Sequence, residues 1–60
     1  MEEKNWQMIT CMDEYGGSFV KSLAGCLTHA DPINYQILKR AFPEYFKEYG
    51  DMAREREKNA

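Results

Sequence analysis

The sequence contains no run of about 18 apolar residues, so no segment is long and apolar enough to cross a membrane as a helix. It has no basic excess either. Ten acidic residues against eight basic ones leave a net charge of −2, which excludes a strongly cationic phosphate-binding domain and falls short of a densely acidic DNA mimic. Residues 1–30 carry the whole −2, while residues 31–60 balance. The opening Met1-Glu2-Glu3-Lys4 lacks the basic region and apolar core of a secretory signal. A cytoplasmic protein is expected.

Cysteine is scarce, with only Cys11 and Cys26. Cytosolic thiols are normally kept reduced, so no disulfide framework is expected. If residues 11–26 lie on one helix, fifteen rises of about 1.5 Å separate the two Cα atoms by roughly 22 Å, beyond the ~7 Å reach of a disulfide. On that helix Cys26 lies on the apolar stripe and Cys11 off it. No ligand set for a metal or cofactor is expected. Cys26-x-x-His29-x-Asp31 is the only cluster of ligand-type side chains, and structural zinc wants four ligands with thiolates dominant.

What the chain does have is aromatic side chains and helical periodicity. One Trp, four Tyr and three Phe in 60 residues supply enough apolar area for a thin core. A chain this short buries only about 60% of its unfolded surface, so a lone copy is marginal. Asn5 suits the N-cap of a first helix, with Glu2 and Glu3 near its positive end. The apolar set Met8, Ile9, Met12, Tyr15, Phe19, Val20, Leu23, Cys26 and Leu27 keeps one helical phase straight through Gly16-Gly17. That continuity favours a single long helix over residues 5–29, with Gly16 on the stripe as a site of close approach. The competing arrangement is a helical hairpin turning at the two glycines, with Ser18 capping the second arm.

Asp31-Pro32 marks a second start, an N-cap followed by proline where its missing N–H does no harm. Apolar positions Ile37, Leu38, Ala41, Phe42, Tyr45, Tyr49 and Met52 follow, interrupted at Pro43. Proline disfavours the α conformation in the residue before it. The expected elements are therefore a helix over 32–41 and a shorter one over 43–50, stopping at Gly50-Asp51. The fold class is all-α: a long N-terminal helix with two shorter helices folded back against it. Residues 1–50 form a single small helical domain, and 51–60 a charged tail that is a frayed helix or disordered.

No catalytic signature appears. Ser18, Ser22 and the cysteines lack a pocket in which His29 would activate them, and Asp13-Glu14 and Glu2-Glu3 are adjacent pairs that point to different helix sides. The basic residues Lys39, Arg40, Lys47, Arg54, Arg56 and Lys58 are interleaved with Glu44, Glu48, Glu55 and Glu57, which reads as a solvated helix surface rather than a nucleic-acid face. Trp6, Tyr35 and Phe46 fall on the flanks of their stripes, where a monomer leaves them partly wet. Together with Gly16 they are the candidate residues for partner binding or self-association, since aromatic anchors are typical of interfaces.

Three strings, Tyr15-Gly16-Gly17-Ser18-Phe19-Val20, His29-Ala30-Asp31-Pro32 and Ala41-Phe42-Pro43-Glu44-Tyr45, resemble short uncharacterised proteins of bacteriophages and prophages, over residues 8–49. The resemblance implies a phage origin and a bacterial cytoplasm, and supplies no activity or functional residues. Small phage proteins often act on host proteins, which is an analogy. The expected function is a non-enzymatic protein-protein interaction module that binds itself or a host protein, as an inhibitor or regulator. The alternative is a small DNA-associated or transcriptional regulator.

Overall fold

A computed structural model describes residues 4–58. These form four helices, α1 (Trp6–Tyr15), α2 (Ser18–His29), α3 (Pro32–Ala41) and α4 (Pro43–Lys58), with no strand among the described residues. The all-α class is as the periodicity indicates. Glu2 and Glu3, expected beside the first helix, lie outside the described residues.

The single long N-terminal helix does not form. Asn5 caps α1 by accepting the Met8 N–H on its Oδ1 at 3.0 Å, and the helix closes where the Gly16 N–H donates to the Met12 carbonyl at 2.9 Å. Both glycines are extended, Gly16 at ψ 156° and Gly17 at ψ −174°, and the chain reverses through them. Lys4 Nζ donates to the Thr28 carbonyl at 2.8 Å, which brings the start of α1 to the end of α2. The two helices are antiparallel arms of a hairpin. Phase continuity does not discriminate between the two arrangements, because each arm of a hairpin must also turn its apolar side inward. Folding back is favoured because an isolated amphipathic helix leaves its stripe in water. Gly17, not Ser18, occupies the N-cap of α2, and it supplies no side-chain cap.

Gly16 is a point of close approach, as expected, but the contact lies between the two arms. A Cβ built there would stand 2.5 Å from both the Met12 carbonyl oxygen and Val20 Cγ1. The absent side chain lets the last turn of α1 sit directly on the first turn of α2. Gly17 faces open space.

Asp31 caps α3 through its Oδ1, which accepts the Asn34 N–H at 2.7 Å, and Pro32 opens the helix. The helix ends at Phe42, held out of the α region at ψ 57° by the following proline. Beyond Pro43 the stop expected at Gly50-Asp51 does not occur, and α4 runs on to Lys58. A helix-interior glycine costs only about 1 kcal/mol relative to alanine, and this one is offset by packing. Ala53 is buried, Met52 packs on the core, and Asp51 joins Lys47 at 3.0 Å to Arg54 at 3.2 Å. Further along, Gln7 Nε2 donates to Glu57 Oε1 at 2.9 Å. The charged segment from 51 to 58 is therefore a helix docked on α1; residues 59–60 lie outside the described residues.

The core is built where α1 packs against both α2 and α4, with α3 attached more sparsely. Met8, Ile9, Met12, Val20, Leu23 and Leu27 are buried as their spacing predicts. Three stripe residues are not: Tyr15, Phe19 and Cys26 are exposed. Tyr15 and Phe19 flank the turn between the two arms. The cysteines are reversed from expectation, with Cys11 buried and Cys26 exposed. Because α1 is clasped from two sides, its buried face widens toward α4 and takes in Cys11.

Candidate interaction surface

The serines and His29 weighed for catalysis are held in helix-surface positions. Ser22 Oγ is engaged by the Ser18 carbonyl at 3.0 Å, and Cys26, His29 and Asp31 are all exposed. No group of three or more His, Cys, Asp or Glu side chains positioned to hold a metal ion occurs among the described residues. A cleft of about 350 Å³ lies between α1 and α4, walled by Trp6, Gln7, Thr10, Cys11, Arg56 and Glu57. Its polar groups are already matched. Arg56 Nη1 donates to Glu14 Oε2 at 3.1 Å and to Cys11 Sγ at 3.6 Å, and the guanidinium stands 5.6 Å from the Tyr15 ring centre. The bond to Cys11, then the nearness of Tyr15 and Glu14, raises the Arg56 pKa above its ordinary value. This knot ties α4 to α1.

The sequence-predicted anchors separate. Tyr35 is only 3% exposed, not partly wet, because its hydroxyl accepts the Asn5 N–H at 3.2 Å and its ring meets Phe46 edge-on at 5.6 Å. It joins the cap of α1 to α3 and α4. Phe46 is half-buried in that contact, and Gly16 is enclosed by the turn. Trp6 alone stays on the surface, 54% exposed, with Lys4 Nζ 5.4 Å from its ring centre.

Two other apolar surfaces emerge. At the turn end of the hairpin, Phe19 packs edge-on against Phe42 at 5.7 Å and lies 5.9 Å from Tyr45, while one side of the cluster remains open. On α3, Ile33 is 75% and Ile37 55% exposed, and Ala41 is exposed below them. The i, i+4, i+8 spacing aligns these three on one helix face. Opposite them Tyr35, Leu38 and Phe42 fasten α3 to the fold. Counting Ile37 and Ala41 in one apolar set with Leu38 and Phe42 missed this face. The available signal was that α3 carries apolar residues on two sides, one more than a helix at the edge of a small bundle can bury.

Three of the basic residues are matched to carboxylates. Lys47 and Arg54 converge on Asp51, and Arg56 on Glu14. No helix is long and apolar enough to cross a membrane among the described residues. Comparison with known proteins finds no matching family model, curated protein or solved structure.

Proposed function

We propose that this chain is a non-enzymatic protein-protein interaction module of phage type, working in the bacterial cytoplasm by docking on itself or a host protein as an inhibitor or regulator. The observation that carries the reading is the pair Ile33 and Ile37, held bare on one face of a capped helix. Singly exposed apolar residues are ordinary on protein surfaces, but an aligned apolar row on an ordered helix is the form that helix-mediated docking uses. The aromatic edge at Phe19 and the exposed Trp6 add the residue types that anchor interfaces. The resemblance of the three strings to short phage proteins is the ground for the setting. Ion pairing of Lys47, Arg54 and Arg56 to carboxylates argues against a phosphate-reading surface.

The test is affinity capture by the immobilised protein from nuclease-treated bacterial lysate. Expected is a protein partner retained by the wild type and lost with Ile33→Asp/Ile37→Asp, at unchanged helix content. Recovery of nucleic acid alone from untreated lysate, with no retained protein, would favour the DNA-associated alternative.

A further inference from the structure

We propose that the second half of α4, residues 51–58, is a latch that opens at Gly50 and uncovers the side of α1 carrying Cys11, while the hairpin and the first half of α4 stay folded. The proposal does not rest on the interaction-module reading. Attachment is uneven along α4. Before Gly50 the helix is held by Tyr45, Phe46 and Tyr49, all in the core or packed against it. Beyond Gly50 six of the eight residues are charged, Ala53 is the one buried side chain, and Met52 is the one other that packs on the core. Burial of apolar surface is what chiefly holds a helix to its neighbours, so a segment with this little of it separates at a fraction of the free energy that unfolds the whole chain.

Gly50 sets where the break falls. Glycine gains the most backbone freedom when a helix unwinds, and nothing lies within 4 Å of a Cβ built at this position, so no close approach calls for it. One ion pair spans the hinge, Lys47 to Asp51 at 3.0 Å, but its side chains are 79% and 48% exposed and it holds weakly. The ties to α1 stand near the far end of the segment: Arg56 to Glu14 and to Cys11 Sγ, and Glu57 to Gln7. Unwinding from the C-terminus must break these first. Once they are gone only Ala53 and Met52 remain to hold the segment, so its residues let go together rather than one by one. Closed, the latch sets Arg56 against the thiol of Cys11, which is 1% exposed although it lies off the apolar stripe. Open, it bares that thiol without disturbing the packing of α1 on α2.

The experiment is amide exchange of the whole chain followed by NMR, where local and global opening separate by their response to variants. In the wild type the amides of residues 54–58 should share one opening constant, well above that of Leu23 and Leu27 in α2. Gly16→Ala strains the hairpin, which stays folded when the latch opens, so it should speed exchange at Leu23 and Leu27 about fivefold and leave 54–58 unchanged. Gly50→Ala should slow 54–58 about fivefold, and Arg56→Ala should speed them about tenfold. Cys11 gives a second readout in the chain carrying Cys26→Ser, which removes the exposed thiol. Silent in native buffer, Cys11 should react in urea below the global transition, at a rate that Arg56→Ala raises and Gly16→Ala does not change. Equal acceleration of α2 and 54–58 by Gly16→Ala overturns independent opening. A smooth rise in exchange toward residue 58 that Gly50→Ala leaves unaltered reduces the latch to end fraying and overturns the hinge. Labelling of Cys11 that follows Gly16→Ala overturns the claim that the latch is what covers it.

Discussion

Replacing Gly16 with alanine should destabilise the protein, although the same exchange at most exposed, negative-φ glycines stabilises it. At a compatible site the change gains roughly 0.4–1 kcal/mol by narrowing the unfolded ensemble. Gly16 has an ordinary φ of −77°, so backbone strain is no obstacle. The obstacle is space. The added methyl would meet the Met12 carbonyl and Val20 Cγ1 at 2.5 Å and Val20 Cβ at 2.7 Å. A carbonyl inside the last turn of α1 and a β-branched side chain stiff at χ1 cannot swing away, so the arms of the hairpin must part. Overpacking of this kind costs about 1–3 kcal/mol, and after subtraction of the entropic gain the net loss is about 1 kcal/mol. For a domain of this size that lowers Tm by roughly 4–8 °C. Gly16→Leu should leave the chain unfolded, since small scaffolds rarely hold more than about 3–5 kcal/mol. Gly17 is the control: nothing lies within 4 Å of a Cβ there, and it is the N-cap of α2 without a capping side chain. Gly17→Asp should supply the cap and raise Tm by about 1–3 °C. Thermal melts by circular dichroism read all three variants. Equal tolerance of alanine at positions 16 and 17 would refute the argument that Gly16 is where the arms touch.

Thiol titration in native buffer should label one cysteine promptly, Cys26, and Cys11 only on denaturation; prompt labelling of both would contradict the packing of α1 against α4. Tyr35→Phe removes the acceptor of the Asn5 N–H at the cost of about 0.5–1.5 kcal/mol, and amide exchange at Asn5 should accelerate while the core stays protected. Lys47, first by its hydrogen bond and then by its charge, holds the Asp51 carboxyl below the usual carboxylate range, with Arg54 adding to it. Stability from that group is complete above the unfolded carboxyl pKa of about 3.9 and is lost as pH falls through the lowered folded value. The acid limb of a plot of Tm against pH should therefore be shallower in Asp51→Asn, and an identical limb would remove Asp51 from the account.

Punctuation by proline and aspartate was legible in the sequence because it acts locally: Asp31-Pro32 starts a helix and Phe42-Pro43 interrupts one whatever surrounds them. Glycine gives no such command. Gly16-Gly17 is a turn and Gly50 lies inside a helix, and local pattern does not separate them because the decision is made by partners distant in sequence. At Gly16 the partner is Val20, across a chain reversal. Near Gly50 it is α1, against which Ala53 buries and from which Glu14 reaches Arg56. The same logic explains the surface. A helical wheel assigns each helix one buried arc, but α1 is covered on two sides and α3 on one. Cys11 therefore goes inside despite lying off its stripe, Tyr35 is drawn in by the Asn5 N–H, and Ile33 and Ile37 are left in water with their apolar row intact. In a chain of 60 residues there is too little structure to cover α3 on a second side as α1 is covered. An apolar second face on α3 therefore adds little to the monomer's own core, which is why the proposed function rests on exposure at Ile33 and Ile37 rather than on Gly16 and Tyr35, both of which are buried.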